Sequence, residues 1–164
     1  PGNDTAKLER QRAVELVRRI PPFVEVVGLF VNEPPEVVQA VCAALPISIL
    51  QFHGDEDAAY CRQFSRPYLR AVRVRPELDL VEFAGVESYG GGGHVFDWTL
   101  IPPDLPGFLV LSGGLTAANV GDAIRRVRPV AVDVSSGVEM GKGIKDHSKI
   151  AAFVAAVRKA DESI

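Results

Sequence analysis

Sulfur and imidazole are scarce in this sequence. Two cysteines (Cys42 and Cys61), three histidines and one methionine occur among 164 residues. Two cysteines inside apolar-polar helical patterns exclude a disulfide framework, and a reducing cytoplasm is expected. No Cys/His spacing resembles a zinc site. The charge excess is slight, with a net charge of -3 and a pI of about 5.6, which argues against a nucleic-acid partner. No apolar run approaches the roughly 18 residues of a membrane span, so no membrane partner is expected. The polar stretch Pro1–Arg12 carries no apolar signal-peptide core. No Ser-His-Asp order or Walker-type loop stands out. What remains is a chain 47% apolar and 24% charged, the composition of a globular domain with its own core. The length predicts one domain, 1–164.

Two kinds of segment alternate. Leu8–Ile20 reads as an amphipathic helix, ended by Pro21-Pro22. Val24–Val31 is short, β-branched and almost wholly apolar, which predicts a strand covered on both faces. Pro35 can occupy the first turn of a helix over Glu36–Leu45. Further strands are expected at Ser48–Phe52, Tyr68–Val74, Gly107–Leu111 and Val130–Val134. Helices are expected at Asp57–Phe64, weakly at Glu77–Ala84, and at Ala117–Val127 and Ser148–Lys159. This alternation predicts right-handed βαβ units on a parallel sheet.

In parallel α/β folds, sites form at the carboxyl ends of strands. Those ends carry the unusual residues here: Asn32, His53-Gly54-Asp55, Arg73 and Arg75, Ser112-Gly113-Gly114 and Ser135-Ser136-Gly137. The last two are Ser/Gly bends that lead toward helices, where backbone N–H groups can approach an anion. Two such bends on the final strands match the phosphate site of many (β/α)8 barrels. The plainer alternative is that the glycines only make tight turns. Asp133 shares a strand face with Ala131 and Ser135, where it could bind substrate hydroxyls or form a buried ion pair. Glu139 could reach the same mouth or sit in solvent. His53 could position a ligand or be structural. Asp97 and Asp146 read as helix N-caps, and His94 and His147 as exposed.

Five strings carry a resemblance: PPFVEVVGLFVNEPPEVV (Pro21–Val38), QFHGDE (Gln51–Glu56), YGGGGHVFDW (Tyr89–Trp98), LSGGLTAANV (Leu111–Val120) and VDVSSGVE (Val132–Glu139) followed by GIKD (Gly143–Asp146). In order and wording they resemble phosphoribosylanthranilate isomerase. The resemblance runs from about Leu16 to the C-terminus. It implies a (β/α)8 TIM barrel and an acid/base Amadori rearrangement in tryptophan biosynthesis. N-(5-phosphoribosyl)anthranilate would become 1-(2-carboxyphenylamino)-1-deoxyribulose 5-phosphate. An acid protonates the ring oxygen and opens the sugar to an imine. A base then removes the C2′ proton, and the enolamine becomes the ketone. The resemblance implies no cofactor and no metal. It assigns phosphate binding to Gly113, Gly114, Ser135, Ser136 and Gly137, sugar hydroxyls to Asp133 and pocket lining to His53. The glycine loop Gly90–Gly93 would sit over the mouth.

The departures are equally specific. The family's opening Lys-Ile-Cys-Gly motif, whose cysteine is the base, has no match. Its Ser-Pro-Arg segment has none either. The Leu-Leu-Asp strand, whose aspartate is the acid, is also without a counterpart, with Glu87 the nearest carboxylate. No catalytic residue is therefore assigned. Gly92 replaces a threonine, and Lys142 stands where proline is common. Five recognisable strands cannot close a barrel of eight. The expectation is a barrel lacking its first, second and sixth strands, incomplete before Leu8 and near Gly85-Val86. The expected partner is a small phosphorylated substrate, and the expected state a monomer or homodimer. The alternative is a catalytically inactive truncated relative that binds phosphorylated ligands. Indole-glycerol-phosphate synthase is a third reading, against which the FDW and QFHGDE strings argue.

Overall fold

The computed structural model describes residues 11–74, 88–90, 97–105 and 107–163. The chain divides into two compact units, Pro1–Leu69 and Arg70–Ile164. The expectations for Arg75, Glu77–Ala84, Gly85-Val86, Glu87, residues 91–93 of the glycine loop and His94 lie outside the described residues.

In the first unit, helix α1 covers 11–17. Strand β1 (Val27–Phe30) pairs in parallel with β2 (Ile49–Phe52), Val27 opposite Ile49 and Phe30 opposite Phe52. Between them runs α2 (Pro35–Ala44), with Pro35 in its first turn as expected, where a missing N–H costs nothing. Helix α3 (Ala58–Arg62) begins at Asp57, whose side chain accepts from the Tyr60 amide at 2.7 Å. Ahead of β3 (Tyr68–Ala71), the Pro67 carbonyl accepts from the Leu50 amide at 3.0 Å. Phe52 is central to this unit's core. Its ring lies 5.6–6.2 Å from those of Phe30, Tyr60, Phe64 and Tyr68, within the range of favourable aromatic pairs.

Strand β1 departs from the double coverage expected of it. Leu29 is 55% and Val27 43% exposed, whereas Phe30 is buried. Successive side chains point to opposite faces, and only the row containing Phe30 meets the core.

The second unit contains β4 (Ser88–Gly90), where the sequence suggested no strand. It continues with β5 (Val110–Ser112), α4 (Val120–Val127), β6 (Ala131–Asp133), an antiparallel hairpin of β7 (Glu139–Gly141) with β8 (Ile144–Lys145), and α5 (His147–Asp161). Asp97 caps a 3-10 turn over Trp98–Leu100, and Asp146 caps α5 by accepting from Ser148 and Lys149 amides at 2.8 and 3.0 Å. Both caps match the sequence reading, and His147 is exposed. The strands are shorter than the apolar runs, since the ladder between β5 and β6 joins only Val110–Ser112 with Ala131–Asp133. Leu111, Leu115, Val120, Ile124, Val138 and Phe153 form the core between this sheet and its helices.

Candidate functional site

Strands β5 and β6 are parallel neighbours, with Ser112 opposite Asp133. Both bends therefore leave the same edge of the sheet. Gly113 (φ +105°) and Gly114 (φ +62°) turn the chain through left-handed backbone, which side chains disfavour. Asn119 holds this turn from below: its side-chain oxygen accepts from the Thr116 amide at 2.7 Å, and its amide nitrogen donates to the Gly114 carbonyl at 3.0 Å. The second bend runs through Ser135 into a 3-10 turn over Ser136–Val138. A Cβ on Gly137 would stand 1.8 Å from the Leu115 carbonyl oxygen, so the two bends touch backbone to backbone. Among the described residues, no acceptor takes the amides of Gly113, Gly114, Ser136 or Gly137. The five predicted phosphate residues thus come together. Asp133 is part-buried one strand end away, with no ion pair among the described residues.

The hairpin braces the second bend. Lys145 Nζ donates to the Ser135 carbonyl at 3.0 Å, to Ser135 Oγ at 3.1 Å and to Glu139 Oε1 at 2.7 Å. Lys149 Nζ donates to the Glu139 carbonyl at 2.6 Å. The Lys145 hydrogen bond, followed by one from the Gly143 amide, holds the Glu139 carboxyl below its ordinary range. Of the two places open to Glu139 in the sequence, the structure gives it a third, an ion pair. Nothing in the spacing singled out Lys145 or Asn119. The only signal was their presence in the GIKD and LTAAN strings.

His53 lies in the first unit, part-buried, just after β2, and its amide donates to the Phe30 carbonyl at 2.9 Å. Beside it sits a carboxylate that sequence reasoning missed. Glu56 is 7% exposed. Its two oxygens accept from the Asn32 amide at 2.6 Å and the Gly54 amide at 2.8 Å. Asn32 Oδ1 accepts in turn from the Asp55 amide at 2.8 Å. Glu56 thereby ties the ends of β1 and β2 together, and buried carboxylates need such partners. Cys42 lies on α2 and Cys61, fully buried, on α3. No group of three potential metal ligands occurs among the described residues, and no helix there is long and apolar enough to cross a membrane.

Residues 3–156 match the family model described as N-(5'-phosphoribosyl)anthranilate (PRA) isomerase. The N-(5'-phosphoribosyl)anthranilate isomerase of Dechloromonas aromatica is 78% identical, over 94% of this chain and 80% of that protein. Its counterpart in Methylibium petroleiphilum is 54% identical, over 93% and 78%. The crystal structure of the Thermotoga maritima enzyme superposes with a TM-score of 0.84 at 37% identity, covering 92% of this chain and 80% of that one. A phosphoribosylanthranilate isomerase in complex with reduced 1-(o-carboxyphenylamino)-1-deoxyribulose 5-phosphate gives 0.83 at 39% identity, covering 92% and 79%. The fold class is therefore that of these neighbours, the (β/α)8 barrel. By the family match and by its identity to these relatives, the chain belongs to the N-(5'-phosphoribosyl)anthranilate isomerase family.

Proposed function

We propose that the chain is an isomerase of tryptophan biosynthesis, converting N-(5'-phosphoribosyl)anthranilate to 1-(2-carboxyphenylamino)-1-deoxyribulose 5-phosphate. Its own residues hold the phosphate and ribose end of the substrate. The contact of Gly137 with the Leu115 carbonyl supports this most, because it joins two bends into one surface of unclaimed amides. An anion needs several N–H donors converging on it, and hydrogen bonds to a charged acceptor are roughly twice as strong as neutral ones. Ser135 and Ser136 add hydroxyl donors. Asp133 accepts from sugar hydroxyls, which compensates a part-buried carboxylate that has no ion pair among the described residues. His53 is a pocket-lining residue on the resemblance alone.

The reaction needs a proton delivered to the ring oxygen and another removed from C2′. Gripping the distant phosphate fixes the sugar's orientation for both steps, so remote binding energy lowers the barrier. No residue here matches the family's acid or base. Cys42 and Cys61 both lie on helices, Cys61 with its side chain wholly enclosed.

A specific observation favours the second reading, a relative that binds phosphorylated ligands without turnover. The match to the Dechloromonas aromatica protein is 167 positions long yet takes in 94% of this 164-residue chain. That relative therefore holds residues inside the matched stretch with no counterpart here. Fluorescence separates the readings. Substrate-dependent loss of anthranilate-type fluorescence supports the isomerase; phosphate binding without that loss supports the relative. In the active case, Gly114→Val raises KM, since valine strains at φ +62° and covers the amides. Asp133→Asn lowers kcat/KM with an unchanged unfolding midpoint. An unaltered KM in Gly114→Val would leave the bends as turns only.

A further inference from the structure

We infer that Lys145 is a positioning residue for the phosphate site, holding the Ser135 bend in its anion-binding shape. The inference rests on the phosphate reading above. Ser135 belongs to no strand or helix, and its backbone (φ -120°, ψ -81°) lies outside the regular regions. The backbone bond to its carbonyl, from the Val138 amide, is long at 3.4 Å. Lys145 Nζ is closer, at 3.0 Å, and reaches Ser135 Oγ as well. An ammonium has three protons. Those of Lys145 go to the Ser135 carbonyl, the Ser135 hydroxyl and Glu139. Lys145 therefore has no proton left for a ligand, and its effect must pass through Ser135.

The consequence at Ser135 is directional. Its hydroxyl oxygen accepts from Lys145, so its own proton is available to an acceptor elsewhere. Glu139 fixes the ammonium from the other side, and Lys149 fixes the Glu139 backbone. The β7–β8 hairpin thus works as a clip on the bend.

The test measures the thermal unfolding midpoint of the intact chain against increasing inorganic phosphate and, separately, ribose 5-phosphate. Lys145→Met is expected to weaken both ligands about tenfold, the loss of one hydrogen-bonded positioning contact. Its midpoint without ligand should move little, since exposed ion pairs stabilise weakly. Lys145→Arg, which keeps donors on both acceptors, should recover most of the affinity. Unchanged phosphate affinity in Lys145→Met overturns the inference. So does a ligand-free midpoint that falls while the phosphate-induced shift stays intact, for that is a structural role. If Lys145→Met does not fold, Lys145→Gln is read by the same criteria. Gly114→Val keeps the two failures apart. Retained phosphate binding there defeats the phosphate reading itself. Lost binding there, with binding retained in Lys145→Met, defeats only the role of Lys145.

Discussion

A methyl group on Gly137 would stand 1.8 Å from the Leu115 carbonyl oxygen. Neither partner can move alone, because both belong to backbone of the paired bends. Gly137→Ala should therefore cost about 3 kcal/mol, the upper range of overpacking, and abolish phosphate stabilisation, as read by unfolding midpoints with and without phosphate. A loss under about 1 kcal/mol would mean the bends are not in contact. Glu56 is the counterpart in the first unit. Glu56→Ala strands the Asn32 and Gly54 amides. Both donors are only part-buried, so each costs near the lower end of about 1–3 kcal/mol, and denaturant unfolding should show a loss of about 2 kcal/mol. A near-neutral result would show that water replaces the carboxylate. The two positions differ in legibility. Ser-Gly-Gly and Ser-Ser-Gly after apolar runs announce bends. A carboxylate in HGDE reads as solvated, because only the meeting of two strand ends reveals the amides it serves.

The β7–β8 hairpin shows how a short element acts through charge. The Glu139 carboxyl is held below its ordinary 4.5, first by the Lys145 hydrogen bond and then by the Gly143 amide. Depression of a carboxyl in the folded state means that its contribution is full above the unfolded value. It is lost as pH falls through the lowered folded value. The clip on Ser135 should therefore hold at neutral pH and loosen only in acid, below the ordinary carboxylate range. Phosphate-induced stabilisation in Glu139→Gln should lack this acid limb. An identical acid profile in wild type and Glu139→Gln would place the sensitivity elsewhere. Helices were the most legible elements. Asp146 followed by a 3.6-period apolar pattern marked the start of α5 within a residue. The hairpin was not legible: β7 and β8 have three and two residues, too short for a period to register.

Across the molecule, burial separates residues that the sequence treats alike. Leu50 is fully buried, whereas Leu29, opposite Gln51 on the neighbouring strand, is 55% exposed. Leu50→Ala should cost about 3 kcal/mol and Leu29→Gln under about 0.5 kcal/mol, both by denaturant unfolding. A cost above about 1 kcal/mol for Leu29→Gln would mean that a further segment covers β1. The alternation of strand and helix, the parallel pairing, the caps at Asp97 and Asp146 and the two glycine bends were all determined by local pattern. Side-chain period, φ preference and capping chemistry act over a few residues and are written in neighbouring letters. Three things were decided only by the tertiary structure: the enclosure of Glu56, the contact of Gly137 with Leu115 and the grip of Lys145 on Ser135. Each depends on which backbone groups the segments leave unpaired once they pack, and neither side-chain period nor capping chemistry encodes that.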